Sequence, residues 1–195
     1  MKHPFVDIHT HHPTEALTIS FVGIHPWDAA HATAPSEAEY VAADAVGEIG
    51  LDFACGIDRK AQRNLLDKEL TRAERLAKPV VLHCVKAFEC LMRELKGRKL
   101  QAVIFHGFIG SKEQAAKALE RGCYLSFGAR TESSPKTLEA LRTTPLERLF
   151  VESDESTRPI EELYATIARL RGVTIEELQA ATLRNYKRIF CKNNE

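Results

Sequence analysis

Phe5-Val6-Asp7-Ile8-His9-Thr10-His11 is an apolar, strand-prone run that ends in two histidines spaced two apart. Residues two apart on a strand point to the same face, about 6.5–7 Å from each other along it, so two imidazoles placed this way can converge on one ion. Asp7 shares that face and is expected to accept an imidazole N–H, which would fix tautomer and ring orientation. His12 should point the other way and reads as a loop residue.

Four more runs end in the same kind of chemistry: Val46-Gly47-Glu48-Ile49-Gly50-Leu51-Asp52, Val80-Val81-Leu82-His83, Val103-Ile104-Phe105-His106 and Leu149-Phe150-Val151-Glu152-Ser153-Asp154. With Ser20–Ile24 and Cys123–Phe127 they give seven candidate strands, namely Phe5–His9, Ser20–Ile24, Ala45–Ile49, Pro79–His83, Ala102–His106, Cys123–Phe127 and Leu149–Glu152. Charged stretches of helical periodicity lie between them: Asp58–Lys78, Lys86–Lys96, Ser111–Arg121, Pro135–Arg142, Pro159–Arg171 and Thr174–Phe190. Ser111 with Gln114 and Thr174 with Glu177 read as capping boxes, and Ser134 before Pro135 as an N-cap. Gly97, Gly122 and Gly172 stand just past helical stretches, where a left-handed residue terminates a helix at little cost. Strands alternating with helices predict an α/β fold with a parallel sheet or barrel. In such barrels functional groups project from the C-terminal ends of the strands, so five runs would aim imidazoles and carboxylates at one mouth.

Neutral nitrogens and hard oxygens without thiolate suit zinc, manganese, iron or cobalt better than calcium, and carry more nitrogen than magnesium usually accepts. His9, His11, His83 and His106 with Glu48 and Asp154 exceed what one tetrahedral zinc ion uses, which points to two cations roughly 3.5–4 Å apart. Singly, each group has a plain structural reading: His83 or His106 a hydrogen-bonded histidine, Glu48 an ion-pair partner, Asp154 a helix cap. Five separate strands placing such groups at the same end by accident is harder to accept.

The chain has 195 residues, 44% of them hydrophobic and 28% charged, which fits one globular domain spanning 1–195 and excludes disordered or collagen-like chains. Its 27 basic residues balance 27 acidic ones, removing the overall electrostatic footprint of a protein that coats nucleic acid, so any nucleic-acid chemistry is local to a pocket. Five scattered cysteines without C-x-x-C spacing read as reduced thiols. There is no signal-peptide pattern and no apolar run near the ~20 residues needed to span a bilayer, so the expectation is a soluble cytoplasmic protein with no membrane or obligate protein partner.

Taken together, Phe5–His11, Gly23-Ile24-His25-Pro26, Val46–Asp52, Val81-Leu82-His83-Cys84, His106-Gly107-Phe108-Ile109-Gly110-Ser111 and Glu152-Ser153-Asp154 resemble, in order, the signature blocks of the TatD family of metal-dependent deoxyribonucleases, in the amidohydrolase-like TIM-barrel superfamily. The resemblance runs from about Phe5 to Phe190 and takes in Gln62 and Asn185-Tyr186-Lys187-Arg188-Ile189-Phe190. It implies a distorted TIM-type (β/α) barrel and a two-metal centre, with His9, His11 and Asp154 on one ion, His83 and His106 on the other, and Glu48 bridging. It also implies that His25 touches the scissile phosphate rather than a metal. The plain structural alternative for His25 is a turn-stabilising residue before Pro26.

The sequence departs from that pattern. Only Pro13 to Val22 separate the H-x-H block from the G-x-H-P block, so one βα unit is expected to be missing or reduced. The family's H-C-R-D-A reads His83-Cys84-Val85-Lys86-Ala87, which loses an arginine suited to phosphate and leaves Lys86 as a point charge.

The expected reaction is attack on phosphorus, in DNA or a small phosphoester, by a water activated between two divalent ions, zinc first, then manganese, magnesium, iron or cobalt. Asp154 would orient the water and take its proton, and Glu48 would hold both ions. Glu152 reads equally as a support behind the ligands or as a barrel-interior residue. The alternatives are an amidohydrolase or esterase using the same ions on a carbonyl, and a degenerate barrel that binds metal without turnover. A doubly wound nucleotide fold is disfavoured, because Thr10-His11-His12 stands where a Gly-rich phosphate loop would be.

Overall fold

The structure is a computed structural model and describes residues 3–31 and 33–191. The chain divides into two compact units, Ile19–Phe105 and Met1–Thr18 with His106–Glu195.

The unit Ile19–Phe105 contains β1 (Phe21–Val22), a 3-10 turn (Pro26–Asp28), α1 (Glu37–Ala42), β2 (Ala45–Asp52), α2 (Arg59–Leu76), β3 (Val80–Val85), α3 (Phe88–Glu94) and β4 (Val103–Phe105). Its four strands pair in chain order and all in parallel. Parallel strands need covered faces, and β2 accordingly reads as an almost continuous buried run, with Ala45, Val46, Ile49 and Leu51 all at 0% exposure. α2 covers that face through Leu66, Leu70 and Ala73, which recur at helical spacing and are buried. Asp58 caps its start, and Ala77, in a left-handed conformation, ends it.

The second unit holds α4 (Lys112–Glu120), β5 (Tyr124–Phe127), a 3-10 segment (Ala129–Ser133), α5 (Pro135–Thr143), a 3-10 turn (Leu146–Arg148), β6 (Leu149–Val151), α6 (Ile160–Arg171) and α7 (Ile175–Phe190). β5 and β6 are parallel neighbours. Tyr164 of α6 is buried and ties the N-terminal segment to two helices: its hydroxyl donates to the Val6 carbonyl at 2.9 Å, accepts the Val6 amide at 3.1 Å and meets Thr182 Oγ1 of α7 at 2.8 Å. Asn185 of α7 donates to the carbonyls of Leu146 and Leu149, fixing the entry to β6.

The parallel βα order is as the sequence predicts, with three differences. The expected strand Phe5–His9 forms no ladder among the described residues; it makes one parallel bridge from Val6 to Leu17, and Thr10 makes another to Asp154. No helix lies between His11 and β1, so this short segment has no βα unit with which to build a full neighbouring strand. Second, α1 has no counterpart among the expected helices, although Ser36 and Glu39 make a full capping box at its start; six residues are too few to show a periodicity. Third, the expected cap Ser134 makes no side-chain cap, its hydroxyl accepting instead from Thr137 Oγ1 at 2.8 Å. The boxes at Ser111 and Thr174 form, and Gly97, Gly122 and Gly172 take positive φ as expected. Among the described residues no helix is long and apolar enough to cross a membrane.

Candidate metal centre

In the unit that contains His106–Glu195, the main chain builds the first cluster. The Asp154 amide donates to the His9 carbonyl at 2.9 Å and the His11 amide donates to the Asp154 carbonyl at 3.2 Å, which sets the H-x-H pair alongside the residues that follow β6. Asp154 Oδ1 then lies 3.7 Å from His9 Nε2 and 3.6 Å from His11 Nε2. The two imidazoles stand edge to face, with centroids 5.0 Å apart. His9 is fully buried and the His11 side chain is 45% exposed, so the cluster has an inner and an outer imidazole. Asp154 adopts a left-handed backbone (φ 53°), a conformation that few residues other than glycine accept and that concentrates at functional sites.

His106 directly follows β4 in sequence, and its ring centroid is 4.3 Å from that of His9. Behind it Glu152 is buried, with Oε1 3.6 Å from His106 Nδ1. Burial works against ionising Glu152, but the His106 and His9 imidazoles and the Ser126 hydroxyl prevail and hold its carboxyl below the usual glutamate range. One ligand atom from each of His9, His11 and Asp154, and likewise from His106, Glu152 and Asp154, falls within 4.8 Å of the others.

Asp7 corrects the sequence expectation. Its carboxylate accepts the Ser153 amide at 2.9 Å and the Ser153 hydroxyl at 2.6 Å rather than an imidazole. Ser153 Oγ also lies 2.8 Å from Thr10 Oγ1, so Asp7 positions the chain on either side of Asp154 and His9. Burial pushes the Asp7 carboxyl up, only partly offset by the bonds from Ser153. His12 is exposed, its Nε2 3.3 Å from the Glu155 carbonyl oxygen, as suits a loop residue.

The unit Ile19–Phe105 carries a second cluster. Glu48 of β2 and His83 of β3 meet at 2.8 Å through Oε1 and Nδ1, and His25 Nε2 is 3.5 Å from the same oxygen. The pairing shifts register between Val46 and Ile49, so the strand bulges where Glu48 emerges. Gly50 has φ 149°, and a Cβ there would collide with the His83 carbonyl oxygen; only glycine allows β3 to approach this closely. Lys86, exposed and with φ 50°, follows the end of β3.

Sequence alone gives no role to two further residues of this cluster, Asp52 and Trp27. Asp52 is buried; its Oδ2 accepts the Trp27 indole N–H at 2.7 Å and lies 3.4 Å from His83 Nε2. Burial raises the Asp52 pKa, but the bonds from Trp27, the Ala54 amide and His83 outweigh it and leave the carboxyl below its ordinary value. Gln62 of α2 fixes the Asp52 backbone from both sides, accepting its amide at 2.8 Å and donating to its carbonyl at 2.8 Å. The available signals were Asp52 closing the Glu48 run and a lone tryptophan two residues after His25.

Imidazole nitrogens and carboxylate oxygens suit a divalent cation, and they stand at ligand spacing in His9, His11 and Asp154 of the first cluster and in Glu48 and His83 of the second. Cys84, next to His83, adds no thiolate, because burial pushes its pKa up to about 12. His25 differs from the other imidazoles. Its Nδ1 accepts the Trp27 amide at 3.3 Å, so in the neutral ring Nε2 carries the proton, 3.5 Å from Glu48 Oε1.

A family model described as TatD related DNase matches residues 8–191. The chain is 30% identical over 167 residues to the uncharacterized metal-dependent hydrolase YabD of Bacillus subtilis, covering 76% of this chain and 66% of that protein. It is 30% identical over 203 residues to the 3'-5' ssDNA/RNA exonuclease TatD of Cronobacter sakazakii, covering 89% of this chain and 77% of that one. It spans 56% to 66% of the length of three of the curated relatives it matches. The crystal structure of YjjV, a TatD homologue from Escherichia coli K12, superposes with a TM-score of 0.78 at 23% identity, covering 95% of this chain and 97% of that one. That likeness shows the fold, an α/β fold with parallel strands of the distorted (β/α)-barrel type.

Proposed function

Since the chain belongs to the TatD related DNase family, we propose that it is a metal-dependent hydrolase of phosphodiester bonds, acting on DNA or a smaller phosphoester as one hydrolase domain in the reducing cytoplasm. The observation that carries this reading is Asp154 flanked by His9 and His11, their ligand atoms within 4.8 Å of one another. His9, His11, His106 and Asp154 in one unit, and Glu48 and His83 in the other, are the proposed ligands of two divalent cations, zinc the first choice. Such cations supply Lewis-acid stabilisation of phosphate charge and lower the pKa of a bound water toward 7.

The remaining chemistry belongs to the chain. Asp154 orients the attacking water and accepts its proton. His25 donates from Nε2 to a non-bridging phosphate oxygen, the role left to it by the Trp27 amide on Nδ1. Lys86 adds a positive charge at the rim. Glu152 holds His106 in place through Nδ1, and Asp7 holds Ser153, so both steady ligands without touching substrate. All five cysteines are free thiols, which agrees with a reducing compartment.

The test is a substrate panel on metal-loaded protein containing single-stranded and duplex DNA, a simple phosphodiester, and amide, lactone and ester compounds. Turnover of phosphodiesters that is lost in Glu48→Ala and Asp154→Ala supports the proposal. Turnover confined to the carbonyl compounds moves the chemistry to an amidohydrolase, and no turnover of any substrate leaves a metal-binding barrel.

A further inference from the structure

Trp27 is the single tryptophan of the chain and is 55% exposed, the largest of the few exposed apolar side chains among the described residues. Isolated exposed apolar residues need no explanation. This one is different because it is held. Its indole N–H donates to buried Asp52 at 2.7 Å, and its backbone amide donates to His25 Nδ1 at 3.3 Å. Pro26 fixes the backbone one residue before it, in a short 3-10 turn. Asp52 is itself anchored by the Ala54 and Cys55 amides, at 2.8 and 3.2 Å.

The ring therefore has its polar edge pinned inward while much of its surface stays in water, with its position fixed before any ligand arrives. Its centroid is 4.7 Å from that of His25 and 6.1 Å from that of His83, so it stands at the border of the Glu48 cluster. A rigid, half-exposed aromatic is the usual platform for an unpaired base, since every base offers a π-face and little side-chain entropy is lost on stacking. The balance of 27 basic and 27 acidic residues leaves little general attraction for a phosphate backbone, which increases the share of binding that stacking must supply.

We propose that Trp27 is a base-stacking platform that seats one unpaired nucleobase beside the His25–Glu48–His83 cluster. This rests on the phosphodiesterase reading above. A paired base cannot offer its face to the indole without leaving its own stack.

Because Trp27 is the only tryptophan, its fluorescence reports on stacking directly. The metal-loaded protein is titrated with a cleavage-resistant phosphorothioate oligothymidylate and with an abasic oligomer of equal length and charge. Saturable quenching by the first and not by the second is expected; equal quenching, or none with either, overturns the proposal. In kinetics, Trp27→Ala should lower the ratio of kcat/KM for base-bearing over abasic oligomers by roughly 5- to 150-fold, while Trp27→Phe retains most of that ratio. An equal loss on both substrates would mean that Trp27 only supports Asp52, and would also overturn the proposal. Failure of the phosphodiesterase reading looks different: the wild-type enzyme would cleave neither oligomer, whatever the fluorescence shows.

Discussion

Asp154 is joined to His9 twice, its amide N–H donating to the His9 carbonyl at 2.9 Å and its Oδ1 lying 3.7 Å from His9 Nε2. The main-chain bond needs no metal, so the cluster is assembled before any cation binds. A cation would then stabilise the fold by binding the native state alone. At a hundredfold excess over its dissociation constant this amounts to about 2.7 kcal/mol, or roughly 5–10 °C in Tm for a chain of this size. A chelator should lower the melting temperature of the wild type by more than that of Asp154→Ala, which keeps Glu48 and His83 for the second cation. Equal drops in both proteins would mean that Asp154 holds no cation.

Tyr164→Phe strips the Val6 amide and carbonyl of their shared partner in a buried place. Leaving buried polar groups unsatisfied costs about 1–3 kcal/mol, to be read as a lower urea midpoint at unchanged m-value. A loss below a few tenths of a kcal/mol would show that the N-terminal segment is held by other contacts.

Glu69 gives a pH signature. It is 1% exposed, accepts the Tyr40 hydroxyl at 2.8 Å and Arg72 Nη1 at 2.6 Å, and burial nonetheless raises its pKa. The folded chain thus holds this proton more tightly than the unfolded chain does. Its contribution to stability is full below the ordinary glutamate value of about 4.3 and is lost as pH rises through the raised folded value. The stability difference between wild type and Glu69→Gln, followed by urea titration from acid toward neutral pH, should therefore shift against the wild type. A difference that moves the other way would place the folded pKa below the ordinary value.

The thiols should separate by burial. Cys191 is exposed, whereas burial pushes both Cys84 and Cys123 up to about 12. With a chromogenic disulfide reagent at pH 8, Cys191 reacts in a fast phase that Cys191→Ser removes, while Cys84 and Cys123 wait for unfolding. Fast modification of Cys123 in the native protein would contradict its burial.

The alternation of strands and helices, the parallel order and the residue types able to bind metal were all legible in the sequence, because each depends on short-range periodicity or on the chemistry of a single side chain. The H-x-H spacing is of this kind: two residues on one strand face need only local geometry to converge. Asp7 is not. Its partner is Ser153, 146 residues away, and which group meets the carboxylate depends on how the N-terminal segment lies beside the residues after β6. The same holds for the Trp27–Asp52 bond, where an indole that reads as a surface residue is fixed by a carboxylate brought to it by β2. The tautomer of His25 was likewise decided by folding, because it depends on which amide the 3-10 turn presents to Nδ1. Sequence therefore set the inventory of donors and the order of the strands, while the tertiary structure chose the partners: a hydrogen bond is short and directional, and register, not composition, determines which atoms come within its reach.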